Sequence, residues 1–429
     1  MERAWDVEVV ADSDSRWKWG ATVAPAIAGD RPVRVHGNLL LGRSVPNERQ
    51  LADVGAESAT LRIATFAETV RRLADTSAEV VVLACVGGGI QSMLHALSRA
   101  WAGRSRRPVV VTGYVGLVYE RIVDGLLGRA GADIVLANSS VDLEYFRRTY
   151  ADLGIDADSV VPASLPFLGG APYDPSAAGR DRPFTVTFVA QPSVPGSKVE
   201  RLYAIRQAAE HARRRPDRRV LVKLRGRVGE RTTHAEPFHY ETLLPERDRP
   251  ANLEFVYGAM APVLDRTDLC VTVSSTAGVE AMHRHIPTAV LTDFGIRERL
   301  GNQLFLGSGV FTSWAALHDG HVPVTNPTWA AANGVRDPEP FRVAAARLAE
   351  LVDNDQLPPL RPWLDGRRAA AYLPTLLGQY GLSPQGVPLA EPGDNEGSFT
   401  TRTVRRAARR AYGVGVRVVE PRIKRLAQL

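Results

Sequence analysis

The feature that most constrains the fold is an order of elements that occurs twice: a short apolar run, then a longer helical pattern. The apolar runs, such as Val80–Ala84 and Val109–Thr112, show no alternation of polar and apolar side chains. Strands with this pattern are buried on both faces of a sheet, as parallel strands are when helices cover both faces. The chain is therefore predicted to be an α/β protein with parallel, doubly wound sheets.

A break between the two blocks predicts two domains. Residues 166–183 contain four prolines and three glycines, a composition typical of a linker. We predict one Rossmann-like domain over residues 1–165 and a second over residues 184–383, completed by closing helices, with the two facing each other across a cleft. Residues 384–429 are predicted to be a flexible linker followed by a basic tail.

The predicted strands of the first domain are Val7–Ala11, Val33–Leu41, Thr60–Ala64, Val80–Ala84, Val109–Thr112 and Ile134–Ala137. Those of the second domain are Thr185–Ala190, Arg219–Leu224, Leu253–Tyr257, Leu269–Val273 and Thr288–Thr292.

The net charge of +6 is concentrated at one end of the chain. Residues 401–429 contain nine basic residues and one acid, a net charge of +8, which leaves the first 400 residues at −2. The basic pI of about 9.5 therefore belongs to the tail. A solvated tail and attachment to anionic lipids are both open, and binding to nucleic acid is not expected.

Other features indicate a cytoplasmic protein. Cys85 and Cys270 lie in apolar strand-like runs, which favours buried, reduced thiols over a disulfide framework. No apolar stretch approaches the ~20 residues that cross a bilayer, and the first residues lack the order of a signal peptide. We expect a cytoplasmic protein, with peripheral contact to the inner face of the plasma membrane as the extension that the tail suggests.

Open α/β sheets bind ligands beyond the carboxyl ends of their strands, and the segment Leu269–Met282 has polar side chains at that point. Ser274, Ser275 and Thr276 directly follow a buried strand, and their hydroxyls at a helix start can bind a phosphate. Glu280 lies one turn later and could accept hydrogen bonds from a ribose. A plain Ser/Thr helix cap is the alternative interpretation.

A second group of candidates follows the strand that begins at Arg219. Lys223, Arg225 and Arg231 suit a diphosphate or a leaving phosphate, and His234 is a weaker candidate beside them. A solvated basic edge of the sheet is the alternative. Gln191, which follows the first strand of the second domain, is a further candidate for lining the cleft.

The first domain offers three candidate catalytic residues: Asp14, His36 and Glu120. Asp14 belongs to an Asp12-Ser13-Asp14 cluster that could bind a metal, cap a helix or supply a base that binds the acceptor. His36 is placed at the end of the second strand, and Glu120 lies in an apolar stretch where a carboxylate needs a partner. The run Gly87–Gly89 indicates a close approach of the backbone to a ligand or to the facing domain, rather than dinucleotide binding.

The chain resembles a known family over roughly residues 5–380. The segments VTVSSTAGVEAMHRHIPTAVLTDFGIRERLGNQLFLGSG, LVKLRGRVGERTTH and VTFVAQPSVPGSKVERLY resemble those of actinobacterial glycosyltransferases of unknown specificity. More distantly, the hydroxyl triplet resembles the Ser-Ser-Thr motif of bacterial sialyl-, polysialyl- and capsule-polymer transferases. This resemblance implies a GT-B fold in which Ser274, Ser275 and Thr276 bind the phosphate of a donor nucleotide.

We therefore expect a glycosyltransferase that moves a sugar from a nucleotide-sugar to an envelope or capsule-type glycan, or to a lipid-linked acceptor. In this hypothesis no metal is needed, because cations and a helix start stabilise the leaving diphosphate. The alternatives are a sugar-nucleotide epimerase on the same fold and a non-catalytic partner in carbohydrate biosynthesis.

Overall fold

A computed structural model describes residues 3–41, 60–117, 122–230, 236, 238–335, 337–354 and 356–389. Within these residues the strands form two parallel sheets. The prediction of an α/β protein with two parallel, helix-covered sheets is confirmed.

The first sheet has seven described strands in the order β3-β2-β1-β4-β5-β6-β7. Their bounds are Trp5–Ala11 (β1), Val33–Leu40 (β2), Thr60–Ala64 (β3), Val80–Ala84 (β4), Val109–Gly113 (β5), Ile134–Ala137 (β6) and Val160–Pro162 (β7). The order reverses direction at β1 and β4, so the carboxyl ends of these two central strands flank the point where such sheets bind ligands.

The second sheet has six described strands in the order β10-β9-β8-β11-β12-β13. Their bounds are Phe184–Val189 (β8), Arg218–Lys223 (β9), Leu253–Val256 (β10), Leu269–Thr272 (β11), Thr288–Leu291 (β12) and Phe311–Thr312 (β13). The strand order of this sheet reverses direction between β8 and β11, which are hydrogen-bonded neighbours.

Helices connect the strands and cover both sheets. In the described part of the chain they are Asp14–Ala28 (α1), Phe66–Ala74 (α2), Gly87–Ala100 (α3), Ile122–Leu127 (α4), Ser140–Asp152 (α5), Lys198–Arg214 (α6), Tyr240–Leu243 (α7), Ala261–Leu264 (α8), Thr276–His283 (α9), Trp314–His318 (α10), Pro327–Ala332 (α11), Arg342–Asp353 (α12) and Tyr372–Gln379 (α13). None of the helices in these residues is long and apolar enough to span a membrane.

Burial on both faces explains the unbroken apolar strands. In β4 every residue is buried, and its side chains alternate between two separate cores. Val81 and Leu83 join the core beneath α2 and α3, whereas Val80 and Val82 join the core that contains Trp17 of α1. A strand that supplies apolar side chains to both faces leaves no position for a polar one.

The last two helices pack on the first sheet, whereas the sequence had grouped them with the second domain. Leu348 and Val352 of α12 join the core around α1, and Leu373 and Leu377 of α13 join the core around α3. The end of the described chain therefore returns to the first sheet, which a linear division at residue 183 does not capture.

Both cysteines are buried and free, as the apolar runs around them predicted. Burial raises the pKa of both thiols above the ordinary value of a cysteine.

Candidate active site

The candidate site lies where the carboxyl ends of the two sheets meet. Helix α1 begins directly after β1, and α9 begins directly after β11. The loop after β9 reaches the start of α1, because Arg225 of that loop contacts Asp14. The central strands of both sheets therefore bring their following residues into one cleft, as the sequence predicted for open α/β sheets.

Asp14 and Arg225 form an ion pair across this cleft. The Nη2 of Arg225 donates to Oδ1 and Oδ2 of Asp14 at 2.9 Å each, and it also donates to the Ser15 hydroxyl. Both side chains are half-buried. Burial alone would raise the pKa of Asp14, but the charge of Arg225 and the hydrogen bonds from Ser15 and Arg225 hold it below its ordinary value. Asp14 is therefore ionised and bound to Arg225, which follows β9 of the second sheet.

Asp12 has a different role from Asp14, although the sequence grouped them. One of its carboxylate oxygens accepts from Arg16 at 2.8 Å, and the other accepts from the backbone N–H of Val86 at 3.0 Å. Asp12 thus joins β1 to the start of α3. The described residues contain no group of three or more His, Cys, Asp or Glu side chains placed to hold a metal ion.

The hydroxyl triplet divides into one structural and two cleft-facing residues. Ser274 is buried, and its hydroxyl donates to the carbonyl of Leu300. Ser275 is the N-cap of α9, where its hydroxyl accepts from the backbone N–H of Ala277 at 3.2 Å. Ser275 and Thr276 are both half-buried. Ser274 therefore anchors the loop, whereas Ser275 and Thr276 lie at the start of α9 and remain partly accessible.

Thr276 faces the first sheet directly. A Cβ atom added to Gly116, in the loop after β5, would lie 3.4 Å from the Thr276 hydroxyl. The start of α9 and the β5 loop are thus opposite walls of the same narrow cleft, and a glycine at position 116 leaves room beside the hydroxyl.

Gln191 supports the triplet from the neighbouring strand. Its side-chain carbonyl accepts from the backbone N–H of Ser274 at 3.0 Å, and its side-chain amide lies 3.1 Å from the Ser274 hydroxyl. These contacts follow from sheet order, because β8 pairs with β11. Gln191 was predicted to line the cleft, and the contacts of its side chain are with the loop of Ser274.

A buried arginine below Gln191 was not predicted from the sequence. Arg201 of α6 is fully buried and donates through Nη1 to the carbonyls of Gln191 and Pro192 at 3.0 Å each. Its Nη2 forms an ion pair with Glu236. Arg201 therefore fixes the β8 loop that holds Ser274. The sequence signal that could have identified Arg201 was an arginine within an amphipathic helix.

Glu280 has a pKa shift opposite in direction to that of Asp14. Burial raises the pKa of Glu280 above its ordinary value, and the charges of Lys18, Arg284 and Lys223 oppose that rise. Lys223 ends β9, is 8% exposed and donates to the Leu224 carbonyl at 2.8 Å. A half-buried carboxylate with a perturbed pKa near three cations is a typical feature of a functional site.

Lys18 is the cleft residue that the sequence reasoning missed. It lies on α1 one turn after Asp14, half-buried, with its ammonium 5.6 Å from the centre of the Phe167 ring. The positive charge of Lys18 opposes the rise in the pKa of Glu280, which lies on α9. The spacing of four residues places Asp14 and Lys18 on the same helix face, which was the signal that could have identified it.

The three glycines of Gly87–Gly89 serve packing. A Cβ atom on Gly88 would lie 3.0 Å from Leu376 of the segment that returns to the first sheet, and one on Gly128 would lie 2.6 Å from the Cα of Gly87. The predicted close approach of the backbone is present. Its neighbours, however, are α4 and α13 and not a ligand or the facing domain.

His36 does not lie at the cleft. The prediction that it ends the second strand was wrong, since β2 continues to Leu40 and His36 lies four residues, about 13 Å, before its carboxyl end. Its Nε2 is 3.0 Å from the carboxylate of Asp6, which also binds Arg34. His36 thus belongs to a polar cluster at the opposite half of the strand.

Three further candidates, Glu120, Arg231 and His234, lie outside the described residues.

Comparisons with known proteins identify the family. Residues 7–351 match the family described as "Putative glycosyltransferase (DUF6716)". None of the curated proteins matches this sequence.

Two solved structures are similar to this chain. UGT89C1 of Arabidopsis thaliana complexed with UDP is 12% identical with a TM-score of 0.53, and the match covers 82% of this chain and all of that one. UDP-GlcNAc 2-epimerase of Neisseria meningitidis bound to UDP-GlcNAc is 10% identical with a TM-score of 0.46, over 81% of this chain and 98% of that one. At such identity the likeness to UGT89C1 shows a shared GT-B fold alone. Since the family match covers most of the sequence, the chain belongs to the glycosyltransferase family so described.

Proposed function

We propose that this protein transfers a sugar from a nucleotide-sugar to a glycan acceptor of the cell envelope or capsule type, or to a lipid-linked form of it. The observation that carries the proposal is the cleft itself. An acid of one sheet faces cations and a hydroxyl-bearing helix start of the other, and these are the groups that sugar transfer from a diphosphate requires.

The second sheet supplies the donor side in this proposal. The hydroxyls of Ser275 and Thr276 hold the diphosphate at the start of α9, where the helix dipole favours an anion. Lys223 and Arg225 offset the charge that develops on the leaving group. Glu280 accepts hydrogen bonds from the ribose. Arg231 and His234 remain predicted contributors.

The first sheet supplies the acceptor side. Asp14 is the proposed base for the acceptor hydroxyl, and Glu120 remains a predicted alternative. We do not retain His36 as a base, because Asp6 holds it away from the carboxyl edge. No bound metal is needed in this scheme, because the cations and the helix start stabilise the leaving diphosphate.

Solved structures add support for the donor class. The fold neighbour UGT89C1 was captured with UDP, and the neighbouring epimerase with UDP-GlcNAc. We therefore propose a nucleotide-sugar donor, with uridine nucleotides as the first candidates to measure.

The test is a thermal-shift panel of UDP-, GDP-, CDP-, CMP- and dTDP-sugars, followed by a transfer assay with the nucleotide-sugar that stabilises the protein. We expect one nucleotide series to raise the unfolding temperature, and product to form only when an acceptor is present. Isomerised nucleotide-sugar formed without acceptor would instead indicate an epimerase. No stabilisation by any nucleotide would favour a non-catalytic partner.

A further inference from the structure

The cleft is bridged by the groups that the proposed reaction must separate. Arg225 is proposed to bind the donor diphosphate, and Asp14 is proposed to accept the proton of the acceptor. In this structure, however, one nitrogen of Arg225 binds both carboxylate oxygens of Asp14. While this ion pair persists, Arg225 cannot fully bind the diphosphate and Asp14 cannot fully accept the proton of the acceptor.

We propose that the Asp14–Arg225 ion pair is a lock that the donor diphosphate opens, so that the base becomes available only after the donor has bound. This inference rests on the proposed function and concerns the order of events at the same site. The phosphate oxygens replace the carboxylate on Arg225, and the carboxylate of Asp14 is released toward the acceptor.

The transfer step then balances as follows. The acceptor oxygen forms a bond to the anomeric carbon of the sugar, and the bond from that carbon to the diphosphate oxygen breaks. The electron pair of the broken bond remains on the diphosphate, next to Arg225. The proton of the acceptor hydroxyl passes to a carboxylate oxygen of Asp14.

The geometry makes the exchange favourable. A guanidinium binds phosphate through charge-assisted hydrogen bonds, often in pairs, so a diphosphate competes well with a single carboxylate. The ion pair is half-buried and joins residues that follow different sheets. When the diphosphate replaces Asp14, the Arg225 guanidinium keeps an anionic partner, so the exchange leaves no unpaired cation.

Other contacts near the Asp14–Arg225 ion pair can remain in place while the pair breaks. Thr276 faces Gly116, so the loop after β5 meets α9 independently of Arg225. Gly226, the residue after Arg225, is held by His239, whose Nε2 lies 2.9 Å from the Gly226 carbonyl. The exchange thus needs the Arg225 side chain to turn, with its backbone fixed.

The consequence is an order of events at the site. Before the donor binds, Asp14 is paired with Arg225 and does not accept a proton from the acceptor. Once the donor is bound, Asp14 faces the acceptor site. The lock thus predicts that the donor binds before the acceptor is activated.

Isothermal titration with UDP and with inorganic pyrophosphate tests the lock. We expect Asp14→Asn to bind both ligands about fivefold more tightly than the wild type, because Arg225 loses its competitor. Asp6→Asn is the matched control, since it removes a carboxylate from the ion pair with Arg34 at the other end of the sheet. This control should leave both affinities unchanged. Ser15→Ala, which removes the second acceptor of Arg225, should give a smaller gain.

Two further variants separate the lock from a general effect of charge. Arg225→Gln should weaken binding, and adding Asp14→Asn to it should restore nothing. A gain that persists without Arg225, or affinity that is unchanged in Asp14→Asn, would overturn the lock while the transferase proposal stands. Failure of both the wild type and Asp14→Asn to bind either ligand would overturn both proposals. Thermal unfolding of each variant verifies that it is folded.

Discussion

Gln191 and Ser274 are joined through both ends of the Gln191 side-chain amide, at 3.0 Å to the Ser274 backbone N–H and 3.1 Å to its hydroxyl. This contact ties the loop after β8 to the loop after β11. It also explains why Ser274 is buried while Ser275 and Thr276 line the cleft.

Replacing Gln191 by alanine should therefore both destabilise the protein and weaken the site. The buried N–H of Ser274 would lose its partner, which typically costs about 1–3 kcal/mol. Urea denaturation would measure the loss, and titration with UDP would show weaker binding as the serine loop loosens. Gln356→Ala is the control, because that side chain is exposed. Equal behaviour of the two variants would contradict the structural role of Gln191.

Ser275→Ala should reduce nucleotide affinity by more than the loss of a helix cap explains. Loss of the cap costs about 1 kcal/mol of stability. Ser313 caps α10 in the same way, accepting from the Ala316 N–H at 3.2 Å, so Ser313→Ala should cost similar stability. Titration should then show weaker UDP binding in Ser275→Ala alone. Unchanged affinity in both variants would place the phosphate elsewhere.

Glu280→Gln should stabilise the fold at neutral pH and weaken donor binding by about tenfold, through loss of hydrogen bonds to a charged group. Burial raises the pKa of Glu280, so the folded state holds the proton more tightly than the unfolded state does. The contribution of Glu280 to stability is therefore greatest in acid and is lost as the pH rises through the raised value.

Unfolding temperatures from pH 4 to 8 would show this as a difference between the Glu280→Gln variant and the wild type. The difference should be small in acid and favour the variant above neutrality. A variant that is less stable at pH 8 would mean that Lys18, Lys223 and Arg284 outweigh the burial of the carboxylate.

A histidine pair far from the cleft should set the acid stability of the second sheet. His211 is buried, with its Nδ1 3.3 Å from Nδ1 of His318 and its Nε2 3.3 Å from Arg218. Burial and the nearby positive charges lower the pKa of His211 to about 4. The unfolded chain therefore binds a proton between pH 6.5 and 4 that the folded chain does not, and stability falls by about 3 kcal/mol as the pH drops through that window.

Chemical denaturation at pH 7, 5.5 and 4.5 would measure this loss. His211→Gln should flatten the pH dependence, whereas His321→Gln at an exposed position should not. An equally steep loss of stability in His211→Gln would assign the acid sensitivity to other groups.

Local patterns in the sequence predicted much of the fold. The predicted strand Leu269–Val273 lies within one residue of β11, and a helix capped by Ser275 begins at Thr276 directly after it. Both predictions depend on short-range signals: unbroken apolar runs for buried strands and hydroxyl side chains at a helix start.

Contacts between distant residues were not accessible in this way. The ion pair of Asp14 with Arg225 joins residues 211 positions apart, and no periodicity records it. The return of α12 and α13 to the first sheet depends on which apolar face each helix meets. His36 was misplaced at the end of a strand whose predicted range, Val33–Leu41, already continued past it, as β2 does to Leu40.

Removal of residues 401–429 should abolish binding to anionic vesicles and spare transfer to soluble acceptors. Each basic residue near an anionic surface contributes about 1 kcal/mol, and this segment has a net charge of +8. The described chain ends at Leu389, whose carbonyl accepts from Arg71 of α2 at 3.2 Å. The described chain therefore ends beside the first sheet, the proposed acceptor side, and we propose that the tail brings this side to a membrane surface.

Vesicle co-sedimentation would compare the full chain, the truncated chain and a variant in which Arg405, Arg406, Arg409 and Arg410 are changed to Gln. With phosphatidylserine vesicles we expect binding by the full chain alone, and with phosphatidylcholine vesicles no binding by any of them. The four-glutamine variant keeps the length and apolar residues of the tail, so its loss of binding would assign the attraction to charge. Binding that survives truncation would move the membrane contact to the folded part of the protein.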